Sequence, residues 1–306
     1  MKAIKLFQVN RRVRKIYLTT NPACCQRSSN NGEPKFTDVQ CATIYLYGKN
    51  LGLRTKQSVY KFARQNLSRY CKHLPTYKQF CLRINKLAPF FEMICNTELG
   101  KKRKTSKIHL LDSMPVVVAK ASRSNRAKTA SELCDKGKCV SQKMWYYGRK
   151  VHILAEERLH SVPIPRKILL TKAAEHDLPT GKLILENAEN IEVFADRGYV
   201  DDDWGYDLQL RYVELNTPFK ERGKYQVPLD DGERAWNAFV STRRQQIESL
   251  FSQISRLTDM QDAHVARSET GLLSFIWARF ALLEMFYWRF GFFIYRSPLF
   301  LIPPCI

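Results

Sequence analysis

A carboxylate follows directly on a short apolar segment in the stretch I-E-V-F-A-D-R-G-Y, residues 191–199. The β-branched and aromatic residues of 191–194 favour a strand, and Gly198 permits a sharp turn just after Asp196. An acid at the carboxyl end of a strand lies at the rim of a sheet, where α/β enzymes build their sites. The spacing fits equally an aspartate that only caps the next turn, so a chemical role for Asp196 requires partner acids.

Two other acids occur where such partners are needed. Asp112 lies in the middle of the β-prone segment 108–119, and Glu248 lies beside the apolar face of a predicted helix, one turn after Arg244. Neighbouring strands can bring Asp112 and Asp196 together, and a helix packed on the sheet can add Glu248. We therefore predict that the three carboxylates share one pocket.

Such a cluster favours metal chemistry. Three carboxylates at short range raise one another's pKa values unless cations neutralise them. Two Mg²⁺ ions, with Mn²⁺ as a substitute, suit oxygen ligands and keep open positions for water and phosphate oxygens. Held about 3.5 to 4 Å apart, the ions activate a water or a DNA 3′-hydroxyl and stabilise the leaving oxygen. The acids thus predict phosphodiester chemistry on DNA.

The elements that must position these acids follow a particular order. Strands are predicted at 108–119, 145–155, 160–171, 191–195 and 212–215, and helices at 176–188, 204–210, 232–258 and 270–290. Residues 120–143 are predicted to form a basic loop. The ribonuclease-H-like order has the same sequence of elements: three strands, a helix, a strand, a helix, a strand and then long helices. The predicted fold class is therefore α/β, a mixed sheet flanked by helices.

The first third of the chain differs in charge from the rest. Residues 1–110 hold 23 Lys and Arg against four acids, and so carry +19 of the net charge of +21. Apolar residues recur there at helical spacing, which predicts a small all-α basic domain that binds a polyanion, most simply DNA. The basic run Lys101, Lys102, Arg103 and Lys104 is predicted to follow the DNA backbone, with a solvated linker as the alternative.

The predicted organisation has four parts. Residues 1–35 mix basic residues with turn signals and are predicted to be an arm that is poorly ordered or only locally folded. Residues 36–105 are predicted to form the helical DNA-binding domain, residues 106–295 the catalytic domain, and residues 296–306 a tail. Within the helical domain, Thr37 or Asp38 caps the first helix and Pro89 divides two later helices.

The amino-acid composition indicates the class of protein and its expected cellular location. Hydrophobic content of 44% and charged content of 26% indicate a globular protein. Nine cysteines without paired zinc spacings, and no evident signal peptide, predict reduced thiols in the cytoplasm. The apolar run 272–302 contains Arg279, Glu284 and Arg289, each costly in a bilayer, so a buried helix or an oligomer contact is expected instead of a membrane span.

Five segments together resemble the DDE transposases of bacterial insertion sequences. They are L-D-S-M-P-V (111–116), Y-Y-G-R-K-V-H-I (146–153), T-K-A-A-E-H-D (171–177), A-D-R-G-Y (195–199) and R-R-Q-Q-I-E-S-L-F-S-Q-I (243–254). The resemblance covers about residues 106–290 and implies that Asp112, Asp196 and Glu248 are metal-binding catalytic acids. It also implies that the protein cuts and joins element ends, with terminal inverted repeats and target DNA as partners.

The resemblance further implies DNA contacts and assembly. Related transposases have a basic residue four positions before the glutamate and another seven after it. Arg244 matches the first, whereas position 255 is Ser and the neighbouring Arg256 is the nearest basic residue to the second. The Tyr that often lies three residues before the Arg is Ser241 here. A homodimer on DNA and association with the bacterial nucleoid are implied as well.

Several other residues have both a chemical and a structural interpretation. Lys150 and His152 alternate along a strand and could approach phosphate or the metal, or could be structural. Asp177 can favour the positive end of a helix, and Trp236 fits a core anchor better than a base-stacking platform.

Two alternative functions use the same features. A ribonuclease-H-like nuclease would hydrolyse nucleic acid without joining it. An inactive, transposase-derived DNA-binding protein would keep only the basic domain.

Overall fold

The computed structural model describes residues 4–25, 34–99, 106–139, 143–158, 161–221 and 228–290. The helices are α1 (Leu6–Thr20), α2 (Asp38–Asn50), α3 (Lys56–Asn66), α4 (Tyr77–Lys86), α5 (Ala88–Leu99), α6 (Ala121–Ser124), α7 (Asp177–Ile184), α8 (Asp202–Leu210), α9 (Asp231–Thr258) and α10 (Glu269–Phe290). The strands are β1 (Ile108–Lys120), β2 (Asp135–Cys139), β3 (Met144–Glu156), β4 (Ile164–Lys172), β5 (Ile191–Ala195) and β6 (Val213–Asn216).

The strands form one mixed sheet. β1 pairs antiparallel with β3 and parallel with β5, and β5 pairs parallel with β6. The other edge of β3 pairs with β2 along its first half and with β4 along its second half. This sheet, flanked by helices, confirms the predicted α/β fold of the ribonuclease-H-like type.

One strand was not predicted. Residues 135–139, assigned to the basic loop 120–143, form β2 on the edge of β3. The segment D-K-G-K-C has no apolar alternation that would indicate a strand. Its backbone pairs with β3 because β4 covers only part of that edge, so the strand is specified by its neighbour and not by its own residues.

Helices cover both faces of the sheet. The long helix α9 packs on β1 and β5, whereas α7 packs beside β4 and α8 beside β6. Two sets of buried apolar residues follow the alternation of each strand: Leu110 and Met114 of β1 belong to the α9 side, and Leu111 to the α7 and α8 side. Asp112 lies two residues from both Leu110 and Met114, and residues two apart on a strand share a face, so Asp112 also lies on the α9 side.

The N-terminal helices form a layer that includes the C-terminal helix. The helix α10 packs against α5, α4 and α2. The predicted caps and breaks in this region are confirmed: Thr37 caps α2 by accepting a hydrogen bond from Gln40 N at 3.1 Å, and α4 ends before the Pro89 region, where α5 begins.

The prediction of a poorly ordered arm is wrong for residues 6–20. They form α1, which packs on α2 and α5 through Val9, Val13 and Ile16. These three residues recur at helical spacing, but they are separated by arginines and lysines that make the segment as a whole hydrophilic. The domain boundaries at 35 and 105 remain predictions, and the tail 296–306 lies outside the described residues.

The helix α10 is apolar but carries buried charge. Arg279 is 1% exposed and Glu284 is 2% exposed, and the Arg279 guanidinium lies over the Phe275 ring while its Nη1 donates to the Phe275 carbonyl at 2.9 Å. Within the described ranges, no helix combines the length and apolar character that a membrane crossing requires.

Gly148, in the middle of the Y-Y-G-R-K segment, is required by a close approach of two backbones. A Cβ atom at this position would lie 2.1 Å from the Val116 carbonyl oxygen, next to the irregularity in the β1–β3 pairing. We expect Gly148→Ala to lower the free energy of unfolding by about 3 kcal/mol, because backbone and not a flexible side chain must move. Urea unfolding followed by circular dichroism measures the change.

Gly205 is the matched control. It lies inside α8, and a Cβ atom there would meet nothing within 4 Å. Gly205→Ala is therefore expected to stabilise the protein by about 0.5 to 1 kcal/mol through helix propensity. Equal effects of the two substitutions would contradict the steric argument for Gly148.

Candidate active site

Asp112 is positioned by the central strand. In β1 it lies opposite Ile153 of β3, and its Oδ1 accepts a hydrogen bond from the Ser113 N–H at 2.7 Å. Its side chain is 19% exposed. Burial raises the pKa of Asp112 to about 6, although Arg244 and the Ser113 N–H act to lower it. A carboxylate in this position therefore needs a cation nearby to remain charged at low cost.

Asp196 reaches the same place through parallel strand pairing. Ala195, the last residue of β5, lies beside Leu111 of β1, so the next residue of each strand is an aspartate. Asp196 Oδ1 accepts from the Arg197 N–H at 2.8 Å and caps a single 3₁₀ turn. Asp196 therefore has the capping role that its spacing allowed. Its side chain is nevertheless 52% exposed, and its Oδ2 faces a residue of another element.

That residue is Arg244 of α9. Its Nη2 lies 3.4 Å from Asp112 Oδ2 and 3.5 Å from Asp196 Oδ2, so one guanidinium nitrogen contacts both carboxylates. The Arg244 Nε is buried and has no hydrogen-bond partner among the described residues. Two acids far apart in sequence and one arginine from a third element thus form one charged cluster.

Contacts at the edge of the sheet hold α9 in this position. Arg243 Nη1 donates to Glu157 Oε1 at 2.6 Å, and Gln246 Nε2 donates to the same oxygen at 2.5 Å. The Arg243 guanidinium also lies over the ring of Phe194 in β5. Nearer the start of the helix, Trp236 Nε1 donates to the Thr217 carbonyl at 3.0 Å, which agrees with an anchoring role.

Glu248 is close to this cluster along the helix but does not join it. It lies four residues after Arg244, about 6 Å along the axis of α9, and its side chain is exposed. The described residues contain no group of three His, Cys, Asp or Glu side chains arranged to hold a metal ion. The structure therefore brings together two of the three predicted acids and places the third one helical turn away.

The donor set nevertheless suits a hard divalent cation. Asp112, inside β1, and Asp196, directly after β5, offer oxygen ligands from two adjacent strands, and Mg²⁺ prefers such ligands. The Arg244 guanidinium, which contacts both acids, shows that a positive charge is accommodated between them. Glu248 lies on the same helix as that arginine. A change of the Glu248 side-chain rotamer changes the distance between its carboxylate and the two aspartates.

A second polar cluster lies beside the first. Lys150 Nζ pairs with Asp177 Oδ1 at 2.8 Å, and the buried His152 contacts Thr171 Oγ1 through Nε2 at 2.8 Å and the Tyr199 hydroxyl through Nδ1 at 3.3 Å. Burial lowers the pKa of His152 to about 4, so it is neutral at pH 7. His152 thus has the structural role that its spacing left open.

Sequence reasoning missed Tyr199 and did not foresee the electrostatic effect of Asp177 on Asp112. Tyr199 is fully buried at the end of the turn that Asp196 begins, and the negative charge of Asp177 adds to the raised pKa of Asp112. Tyr199 lies in A-D-R-G-Y, the segment singled out for Asp196, and Asp177 lies in T-K-A-A-E-H-D. A single sequence gave no sign that the two segments meet.

The predicted DNA-binding residues have different outcomes. The run 101–104 lies outside the described residues. Arg256 is exposed in the last turn of α9, two turns beyond Glu248. Residues 39–91 contain ten Lys and Arg and no acid, and most of the charged side chains on α3 and the following segment are exposed. The segment 39–91 of the helical layer therefore contributes only positive charge.

Comparison with known proteins gives one match. The family model described as a transposase DDE domain matches residues 102–267, which is more than half of the chain and includes Asp112, Asp196 and Glu248. Neither the curated proteins nor the solved structures contain a match to this chain.

Proposed function

The chain belongs to the family of transposases that carry a DDE domain, and we propose that it binds the ends of a bacterial insertion sequence and catalyses strand cleavage and strand transfer there. The observation that carries the proposal is the meeting of Asp112 and Asp196 at Arg244, on two strands that parallel pairing places side by side. Glu248 on α9 is the third catalytic acid of the proposal.

The carboxylates would hold divalent cations, with Mg²⁺ as the physiological ion and Mn²⁺ as a substitute. Asp112 and Asp196 supply the first ligands, and Glu248 completes the set from α9. When bound, two such ions supply activation of a water or 3′-hydroxyl and stabilisation of the leaving oxygen. The protein's own task is to hold the acids in register and to keep Asp112 in a partly buried place where its charge favours a cation.

Arg244 has a second part in the proposal. In the metal-free arrangement its guanidinium neutralises both acids. If bound cations neutralised the acids, the Arg244 guanidinium would no longer be needed for that purpose, and its planar group of donors would suit a phosphate oxygen of the substrate. Arg256, two turns beyond Glu248, extends the positive charge along α9 toward the DNA backbone.

DNA is bound, in this proposal, mainly by the helical region. The acid-free segment 39–91 and the run 101–104 carry the positive charge that contacts the phosphates of the terminal inverted repeats. Two element ends must be handled together, which favours a homodimer in the DNA complex. The protein would act at the bacterial nucleoid.

The test uses purified protein and DNA that carries the ends of its own element. With Mg²⁺, we expect nicks at the element ends and products joined to a target duplex, measured on denaturing gels. Nicks without joined products would indicate a nuclease instead. Metal-independent binding with no cleavage in Mg²⁺ or Mn²⁺ would indicate an inactive DNA-binding protein.

A further inference from the structure

The hairpin of β2 and β3 exposes a tryptophan between lysines. Trp145 is 50% exposed and lies directly opposite Lys138, while Lys136 lies two residues before Lys138 on the same face of β2. The Nζ atoms of Lys136 and Lys138 lie 5.3 Å and 6.0 Å from the centre of the Trp145 ring. We call these three residues the hairpin platform.

The hairpin platform contributes little to the stability of the folded protein. An exposed cation–π contact contributes only about 0.5 to 1 kcal/mol, and a half-exposed indole leaves apolar surface in water. On this face Tyr147 is buried and packs into the core, and the opposite face packs through Tyr146, Met144 and Cys139, whereas Trp145 packs with neither group. Lys136 is in addition fixed by its hydrogen bond to Asn125 Oδ1 at 2.7 Å.

The surroundings of the hairpin platform are strongly basic. Residues 120–145 contain seven basic and two acidic residues, and one of the acids, Asp135, accepts a hydrogen bond from the Ala174 N–H. The exposed cations besides the platform lysines are Lys120, Arg123, Arg126, Lys128 and Lys143. An aromatic face among cations is the combination that binds single-stranded nucleic acid, because phosphates pair with the cations and unpaired bases stack on the ring.

The position of the hairpin platform relates it to the candidate active site. Trp145 is eight residues before Ile153 on β3, and Ile153 lies opposite Asp112. Residues an even number apart on a strand share a face, so Trp145 and Asp112 lie on the same side of the sheet, about 27 Å apart along the strand. The hairpin platform is therefore a contact point separate from the acids but on the same face of the sheet.

We propose that the hairpin platform binds unpaired DNA, with one base stacked on Trp145 and the neighbouring phosphates bound by Lys136 and Lys138. The proposal rests on DNA being the substrate, as in the proposed function, and it adds a second contact point about 27 Å along the strand from the acids. Duplex DNA does not expose a base face, so the platform discriminates unpaired from paired strands.

The experiment measures binding of labelled single-stranded and blunt duplex oligonucleotides to the full chain by fluorescence anisotropy without divalent metal. Trp145→Ala is expected to weaken single-strand binding about 10-fold and leave duplex binding within about 2-fold, whereas Trp145→Phe keeps most of the affinity. Lys136→Gln with Lys138→Gln is expected to reduce the salt slope of single-strand binding by about 1.4.

Tyr206→Ala is the matched control, since Tyr206 is a 65% exposed aromatic residue on α8, outside the hairpin. If Trp145→Ala binds single strands as tightly as Tyr206→Ala does, the platform is not a DNA contact. Equal losses on both kinds of DNA would also overturn the proposal. The platform and the proposed function can fail separately. If Trp145→Ala binds single strands normally while the protein cleaves element ends, only the platform is refuted. If Trp145→Ala selectively loses single-strand binding but the unchanged protein cleaves no DNA, only the proposed function is refuted.

Discussion

Replacement of Asp196 by asparagine is expected to lower the rate of strand cleavage at least about 10³-fold, equivalent to about 4 kcal/mol of transition-state stabilisation. Asparagine keeps an oxygen that can accept the hydrogen bond from the Arg197 N–H, so the turn after β5 remains capped. It removes the negative charge that faces Arg244 and that the proposed metal requires. The substitution therefore separates the capping role of Asp196 from its chemical role.

Single-turnover cleavage of DNA carrying the element ends, at saturating Mg²⁺, measures this effect. DNA binding by Asp196→Asn is expected to equal that of the unchanged protein. The matched control is Asp203→Asn, which changes an exposed acid in the first turn of α8, close in sequence but in another element. Cleavage by Asp196→Asn at the rate of the control would leave Asp196 with a capping role alone.

Replacement of Asp112 by asparagine is expected to abolish cleavage and yet stabilise the metal-free protein at pH 8. Burial raises the pKa of Asp112 from 3.8 to about 6, so the folded protein holds this proton more tightly than the unfolded chain does. The resulting stability is fully present below pH 4 and is lost as the pH rises through about 6. A neutral asparagine does not undergo that loss.

The expected gain in the free energy of unfolding at pH 8 is on the order of 1 to 2 kcal/mol, less than the full pKa shift implies because the side chain is partly exposed. At pH 4 the difference between Asp112→Asn and the unchanged protein should nearly disappear. Urea unfolding at both pH values measures it. Added Mg²⁺ is expected to stabilise the unchanged protein at pH 8 but to have little effect on Asp112→Asn.

Asp201 provides a control of opposite sign. Its pKa is lowered by the hydrogen bond from the Trp204 N–H and by Lys182, so its ionised form favours the folded state. Asp201→Asn should therefore reduce stability at pH 8, where Asp112→Asn increases it. Destabilisation by both substitutions would contradict the burial of Asp112 as the source of its raised pKa.

Much of the fold could be predicted because its signals are local. The apolar face of α9, the cap at Thr37 and the break near Pro89 each depend on residues within one or two turns. The strand order along the chain was sufficient to indicate the ribonuclease-H-like arrangement. Three elements were missed, α1, α6 and β2, and all three have polar or charged sequences. Neighbouring elements hold them: α2 and α5 hold α1, β1 and β3 hold α6, and β3 holds β2.

By itself, the sequence determined which acids are candidates: it placed Asp196 after a strand, Asp112 within one and Glu248 on a long helix. Only the tertiary structure decided how these acids meet. Parallel pairing of β1 with β5 places Asp112 beside Asp196, whereas the helix α9 puts Arg244 between them and leaves Glu248 exposed one turn away. The physical reason is that local preference specifies an element, but strand register and helix packing between distant segments specify which side chains share a charge environment.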